Sequence, residues 1–309
     1  MLKKVIVVVG PTASGKSDLA VLIAFHIIKN KKQFGVSGAA VISADSRQVY
    51  KGFDITSGKV TKKEMGGIDH FMLGVASPFR TYSASRYKKE ASKIIATLHK
   101  KNIIPIVCGG TGFYINSLLY DYSLPNVAPS ASLRARLNTK TTAQLFNLLK
   151  QKDSLRATSI DRYNRRRLIR ALEIILTTGK KVPPLLHKNM YDALVLGIHI
   201  SFDNLEEKIK SRLLARIRRG MITEVTNLHK QGLSWKRLEG FGLEYRWVSL
   251  FLQKKILRDE MIAALIKDIR HYAKRQMTWF SKNKDIVWVD KTKLSRQFVG
   301  IVNEFLKNI

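Results

Sequence analysis

The octapeptide Gly10-Pro11-Thr12-Ala13-Ser14-Gly15-Lys16-Ser17 follows directly on the apolar run Val5–Val9 and fits the pattern G-x-x-x-x-G-K-[ST] at every fixed position. A chain carrying it is constrained at once. The run before it must be a buried strand, the residues after it the first turn of a helix, and the loop between them a cradle of backbone N–H groups for a chain of phosphates. Lys16 adds a positive charge to that cradle, and the Ser17 hydroxyl is suited to a phosphate-bound Mg²⁺.

The flanking pattern extends the same architecture. Apolar runs at Val5–Val9, Ala39–Ser43 and Ile103–Cys108 alternate with helical patterns at Lys16–Lys29 and Ser83–Lys100. Continuous apolar strands separated by helices predict an α/β fold, a P-loop parallel sheet flanked by helices on both faces. The third run enters Gly109-Gly110-Thr111-Gly112, a second tight glycine turn opening a helix. In such sheets ligands gather beyond the carboxyl ends of the strands, where this turn, the octapeptide loop and Asp45 should meet. From about Asp121 the texture changes: Pro125 and Pro129 punctuate a polar connector, and helical patterns follow at Ser132–Asn138, Thr142–Gln151 and Asp161–Thr177. The expected organisation is a catalytic core of residues 1–120 and 191–309, interrupted at 121–190 by a helical insertion. The core resumes with a strand at Ala193–Ile200, a helix at Leu205–Arg219 capped by Asp203 or Asn204, a long helix at Arg258–Ser281 and a strand at Ile286–Val289.

Charge narrows the partner. Lys and Arg number 55 against 23 Asp and Glu, a formal net charge of +32, well beyond what solubility needs. A polyanion is the natural ligand for such a field, and a lysine-rich background is the bland alternative. The lysines are scattered, but Arg162, Arg165, Arg166, Arg167 and Arg170 cluster, as do Arg212, Arg216, Arg218 and Arg219. Arginine suits forked contacts to phosphate and stacking on bases. The single cysteine, Cys108, rules out an internal disulfide framework and fits a reducing cytoplasm, with buried packing as its expected role. No apolar run is long enough to span a membrane, and the histidines show no metal-ligand spacing.

Asp45, just past the second strand, could coordinate Mg²⁺, accept a proton from a nucleophile, or simply cap a turn. Thr111 could bond a reacting group or serve as a turn residue.

Five blocks, GPTASGKS, ISADSRQVYKGFDITSGK, IVCGGTGFYINSLL, NRRRLIRALEI with TGK, and YAKRQMTWF, occur in this order across nearly the whole chain. Together they resemble the tRNA dimethylallyltransferase (tRNA isopentenyltransferase) family. The resemblance implies Mg²⁺-dependent transfer of a dimethylallyl group from its diphosphate to N6 of the adenosine 3′ of the anticodon, position 37. It implies that Thr12, Ala13, Ser14, Gly15, Lys16 and Ser17 hold the donor diphosphate, with Ser17 reaching the metal through phosphate. Asp45 would be the general base, Thr111 a positioner of the amine, and Arg212 a diphosphate-binding arginine. Asp45, Ser46, Arg47 and Gln48 would read the base. Arg134, Arg166, Arg167, Arg170, Arg246, Lys274, Arg275 and Gln276 would touch the tRNA anticodon stem-loop, and a cytoplasmic monomer is expected. The chain departs from the family pattern at Gly240–Arg246, where a G-Y-[KR]-E turn is usual, and at Arg216, where Met is common. An adenylate prenyltransferase acting on free nucleotide, a P-loop small-molecule kinase, and a non-catalytic RNA-binding protein are the rival readings. The basic insertion argues against the first, and intact Lys16, Ser17, Asp45 and Thr111 against the last.

Overall fold

The computed structural model describes residues 2–290 and 294–307. In chain order the elements are β1 (Lys4–Val9), α1 (Lys16–Lys29), α2 (Lys31–Phe34), β2 (Gly38–Ser43), α3 (Lys62–Met65), β3 (His70–Phe71), α4 (Ala84–Lys100), β4 (Ile103–Gly109) and α5 (Gly112–Leu119). Then come β5 (Tyr120–Tyr122), α6 (Ala131–Asn138), α7 (Thr142–Lys152), α8 (Ser154–Ser159), α9 (Arg165–Thr178) and β6 (Leu185–Asn189). The remainder is β7 (Asp192–His199), α10 (Phe202–Arg218), α11 (Met221–Lys230), α12 (Trp235–Gly240), α13 (Leu243–Leu252), α14 (Arg258–Phe280), β8 (Ile286–Asp290) and α15 (Leu294–Leu306).

Six strands form one sheet in the order β3-β2-β4-β1-β7-β8, and every pairing in it is parallel. β2 is buried along its whole length, and β1 and β4 at all but their first residue, so their apolar runs have no polar face to alternate with. Register sets the site. Val9 lies opposite both Gly109 and Gly197, and Ser43 opposite Cys108, so β1, β2 and β4 end side by side at their carboxyl ends. The octapeptide loop, Ala44-Asp45 and Gly110-Thr111 therefore leave the sheet as neighbours. On one face Leu19, Ile23 and Ile27 of α1 join Val302 and Leu306 of α15 over Ile6, Val8 and Ile106 in a common core.

The chain divides into two compact units, one of residues up to Leu119 and from Met190 onward, the other Tyr120–Asn189. The second unit has its own core of Leu137, Leu145, Leu149, Leu168 and Leu172, because α7 and α9 each present an apolar stripe that needs a partner. Its ends are tied by the antiparallel pair β5 and β6, whose largely polar, exposed sequence gives little strand signal. The last helix of the insertion begins at Arg165, with the Asn164 side chain accepting from Arg167 N–H, and the expected start at Asp161 is instead a turn between α8 and α9. Ser201 occupies the N-cap position of α10, with no side-chain capping bond, and Asp203 and Asn204, the expected caps, lie within its first turn.

Candidate active site

The octapeptide loop is held open by its backbone. Gly15 takes φ 91° at the N-cap of α1, which has no side-chain cap, and Ala13 takes φ 63°. The first-turn N–H groups of α1 therefore have no intrahelical acceptor and face the loop's interior. Lys16 Nζ donates to the Pro11 carbonyl at 3.2 Å, and no described carboxylate lies within ion-pair distance of it. Burial lowers the Lys16 pKa below the ordinary lysine value, so the free ammonium is poorly solvated. Thr12, Ala13, Gly15, Lys16 and Ser17 line a cavity of about 410 Å³. Ser14 is fully buried beneath it, and its hydroxyl has no described partner. Cys108 is also buried, which pushes its thiol up to about 11 and keeps it protonated.

The glycine turn packs against this loop. A Cβ on Gly109 would fall 2.2 Å from the Ala44 carbonyl oxygen, and one on Gly112 2.3 Å from the Trp279 ring, so neither position has room for a side chain. Gln276 of α14 bridges the two loops: the Thr12 N–H donates to its Oε1 at 2.8 Å, and its Nε2 donates to the Gly110 carbonyl at 2.9 Å. The expectation that Gln276 touches RNA is therefore corrected. Its amide is buried and both ends are occupied by backbone. A polar residue on the otherwise apolar stripe of α14 was the sequence signal for this role.

Asp45 lies on the cavity wall. Its Oδ1 accepts from the Arg47 N–H at 2.8 Å and the Gln48 N–H at 3.3 Å, which fixes the carboxylate while Oδ2 has no described hydrogen bond. The turn-capping and chemical readings of Asp45 are thus compatible. Ser46, Arg47 and Gln48 also line the cavity. Thr111 is joined to them by the Ser46 N–H, which donates to its Oγ1 at 3.0 Å. Tyr272, the first residue of the YAKRQMTWF block, also lines the cavity and has its hydroxyl pushed up to about 12, chiefly by burial and then by the Asp45 charge.

Arg212 enters from α10, on the side of the cavity lined by Gly58 and Glu64. Burial, followed by the nearby Arg216 charge, lowers its pKa. The adjoining segment is pinned by Glu224, whose carboxylate accepts from the N–H groups of Asp54, Ile55 and Thr56. Phe241, in the turn that departs from the family pattern, is buried among Tyr50, Phe53 and Tyr245. Its carbonyl accepts from Arg47 Nε at 2.8 Å, so part of that turn serves to fix Arg47. Of the second arginine cluster, Arg212 and Arg216 line the cavity, while Arg218 and Arg219 do not. Arg246, Lys274 and Arg275 are exposed.

In the helical unit Arg166 and Arg167 are exposed at the start of α9. Arg134 and Arg170 are differently placed, since both bond the fully buried Glu173, at 2.8 Å and 2.6 Å. Burial opposes ionisation of Glu173, but bonds from Arg134, Arg170 and the Ser130 N–H outweigh it and hold the carboxyl at about 2.

Among the described residues no group of three or more His, Cys, Asp or Glu could hold a metal ion, and no helix is long and apolar enough to cross a membrane.

Residues 48–283 match the family model described as IPP transferase. The chain is 38% identical over 284 residues to a protein of Treponema denticola named tRNA dimethylallyltransferase 2, covering 90% of this chain and 91% of the relative. It is 34% identical to the tRNA dimethylallyltransferase of Staphylococcus carnosus, covering 94% and 92%. Among solved structures, the tRNA isopentenylpyrophosphate transferase of Bacillus halodurans superposes with a TM-score of 0.73 at 28% identity, over 99% of this chain and 97% of that one. A eukaryotic dimethylallyltransferase acting on tRNA gives a TM-score of 0.81 at 26% identity, over 99% and 80%.

Proposed function

Because the chain belongs to the IPP transferase family, we propose that it transfers a dimethylallyl group from dimethylallyl diphosphate to N6 of the adenosine at position 37 of tRNA, releasing diphosphate. The observation that carries this reading is the sharing of one cavity by the Asp45 carboxylate and by Lys16 and Arg212, two cations without described acidic partners. The cations suit the diphosphate of the donor, and the carboxylate suits a nucleophile that must lose a proton.

In the reaction, the bond between the allylic carbon and the bridging oxygen breaks and its electron pair leaves with the diphosphate. The adenine N6 lone pair forms the new C–N bond, and an N6 proton passes to the free Oδ2 of Asp45. Thr111 and the Ser46 to Gln48 turn hold the amine near that carbon. A stacked adenine cannot enter a cavity of this depth, so the base is drawn out of the anticodon loop before reaction. The exposed Arg166, Arg167, Arg246, Lys274 and Arg275 supply phosphate contacts, which suits a single-stranded loop with its flanking stem. The residues present fit Mg²⁺ only as an ion carried by the substrate phosphates. Ser17 lines the cavity on the first turn of α1, with no all-protein cluster of acidic or imidazole ligands beside it. When bound, the ion would neutralise charge on the departing diphosphate. The same reading implies a cytoplasmic monomer.

Purified protein incubated with labelled dimethylallyl diphosphate, Mg²⁺ and unmodified tRNA is expected to label the tRNA at a single anticodon-loop adenosine, identified by mass analysis of fragments. Asp45→Ala is expected to reduce transfer by about 10³-fold or more while tRNA binding stays nearly intact. Label on AMP alone, phosphate transfer from ATP, or equal loss of transfer and binding in Asp45→Ala would overturn the assignment.

A further inference from the structure

Arg216 stands one helical turn after Arg212 on α10 and lines the same cavity. Its side chain is only 14% exposed. Nη1 donates to the Thr56 carbonyl at 2.9 Å and to Glu244 Oε1 at 3.0 Å, and Thr56 is itself fixed through its N–H by Glu224. The guanidinium is therefore held in place before any ligand arrives. Its Nε is buried without a hydrogen-bond partner, and a buried N–H left without an acceptor is costly. Gly58 shows what the two arginines share. A Cβ there would lie 3.4 Å from Arg216 Nη1 and 3.8 Å from Arg212 Nη2, so both guanidinia converge on one stretch of bare backbone at the cavity wall. A pair serving only to join α10 to α13 gains nothing from the Arg212 guanidinium beside it, since like charges repel. An anion with several oxygens would relieve the repulsion and meet Nη2, for which no hydrogen bond is described.

We propose that Arg216 is a second diphosphate-binding arginine, gripping the phosphates of the donor and of the released product beside Arg212, with Glu244 as the residue that positions it. The inference rests on the proposed function only for the identity of the donor.

The test is calorimetric titration of the full chain with inorganic diphosphate in the presence of Mg²⁺. Arg216→Met is expected to weaken binding about 10-fold or more, and Arg216→Lys by roughly threefold, since the charge remains but the fork is lost. Glu244→Gln keeps the fold contact but loosens the guanidinium, and is expected to raise the donor KM severalfold with little change in kcat or in the KM for tRNA. Should Arg216→Met fail to fold, Arg216→Lys and Arg216→Gln are titrated in its place. Diphosphate affinity within twofold of the parent in these variants, whatever their melting temperature, would reduce Arg216 to an ion pair between helices, and no diphosphate binding by the parent protein would sink the proposal outright. Arg216-dependent diphosphate binding by a protein that transfers no prenyl group would instead overturn the proposed function and leave this assignment standing.

Discussion

In the inserted helical unit Glu173 takes up both Arg134 and Arg170, whereas in the phosphate-loop cavity Lys16 and Arg212 meet no described carboxylate at ion-pair distance. The two regions use the same chemistry to opposite ends. Around Glu173 the charges are already satisfied, so the contacts stabilise the unit and tie α6 to α9. In the cavity burial weakens the hold of Lys16 and Arg212 on their protons, and the cations gain their full electrostatic benefit only when an anion enters. Charges that crowd together in the sequence thus differ in what they meet in the fold, and Arg216, paired with Glu244 yet lining the cavity, stands between the two cases.

The largest test of that contrast is Arg212→Leu. Transfer is expected to fall by about 10²–10³-fold, as for removal of a donor that stabilises developing negative charge. Thermal melting without ligand should hold steady, because Arg212 makes no described hydrogen bond or ion pair within the fold and removing it relieves repulsion with Arg216. A large loss of ligand-free stability would break the comparison. Next is Glu173→Ala, which removes the shared acceptor of two partly exposed arginines and is expected to destabilise the helical unit by about 2 kcal/mol, measured by hydrogen exchange across α6 and α9. Its pH dependence has a definite sign. The Glu173 pKa is depressed in the folded state, to about 2, so its stabilisation is complete above the usual glutamate range and is lost as pH falls from there to about 2. Hydrogen exchange in α9 that does not change over this window in the parent protein would contradict the assignment. The smallest expected effect is Arg167→Ala. This exposed arginine should cost severalfold in tRNA affinity and lower the salt dependence of binding by about one counterion, with no change in melting. An unaltered salt slope would mean that Arg167 faces water only.

Much of this was legible beforehand for a definite reason. β1, β2 and β4 are buried strands whose sequences are unbroken apolar runs closed by glycine or by Asp45, and parallel strands buried on both faces have no other way to read. The cradle, Asp45 and Thr111 follow because they stand at the ends of those strands. The region from Met221 to Leu252 was not legible: α11, α12 and α13 are short helices that pack chiefly on one another and on α10 and α14, so each carries only a brief periodic signal. Contacts such as Glu224 with the Asp54–Thr56 amides, or Arg216 with Glu244, join side chains whose pairing no local pattern encodes. Arg134 and Arg170 have a pairing that was hidden for a related cause. Their sequence neighbourhood announces positive charge, while the carboxylate that absorbs it lies on the buried side of α9.

The double bond of Gln276 with the two glycine-rich loops restricts what can stand at that place. Glutamate would accept from Thr12 but repel the Gly110 carbonyl, lysine would do the reverse, and leucine would orphan both. Only a side chain that gives and receives at once can keep two loops, far apart along the chain, moving as one rim, so the floor beneath the phosphates and the turn bearing Thr111 keep a fixed spacing set by the width of a single carboxamide.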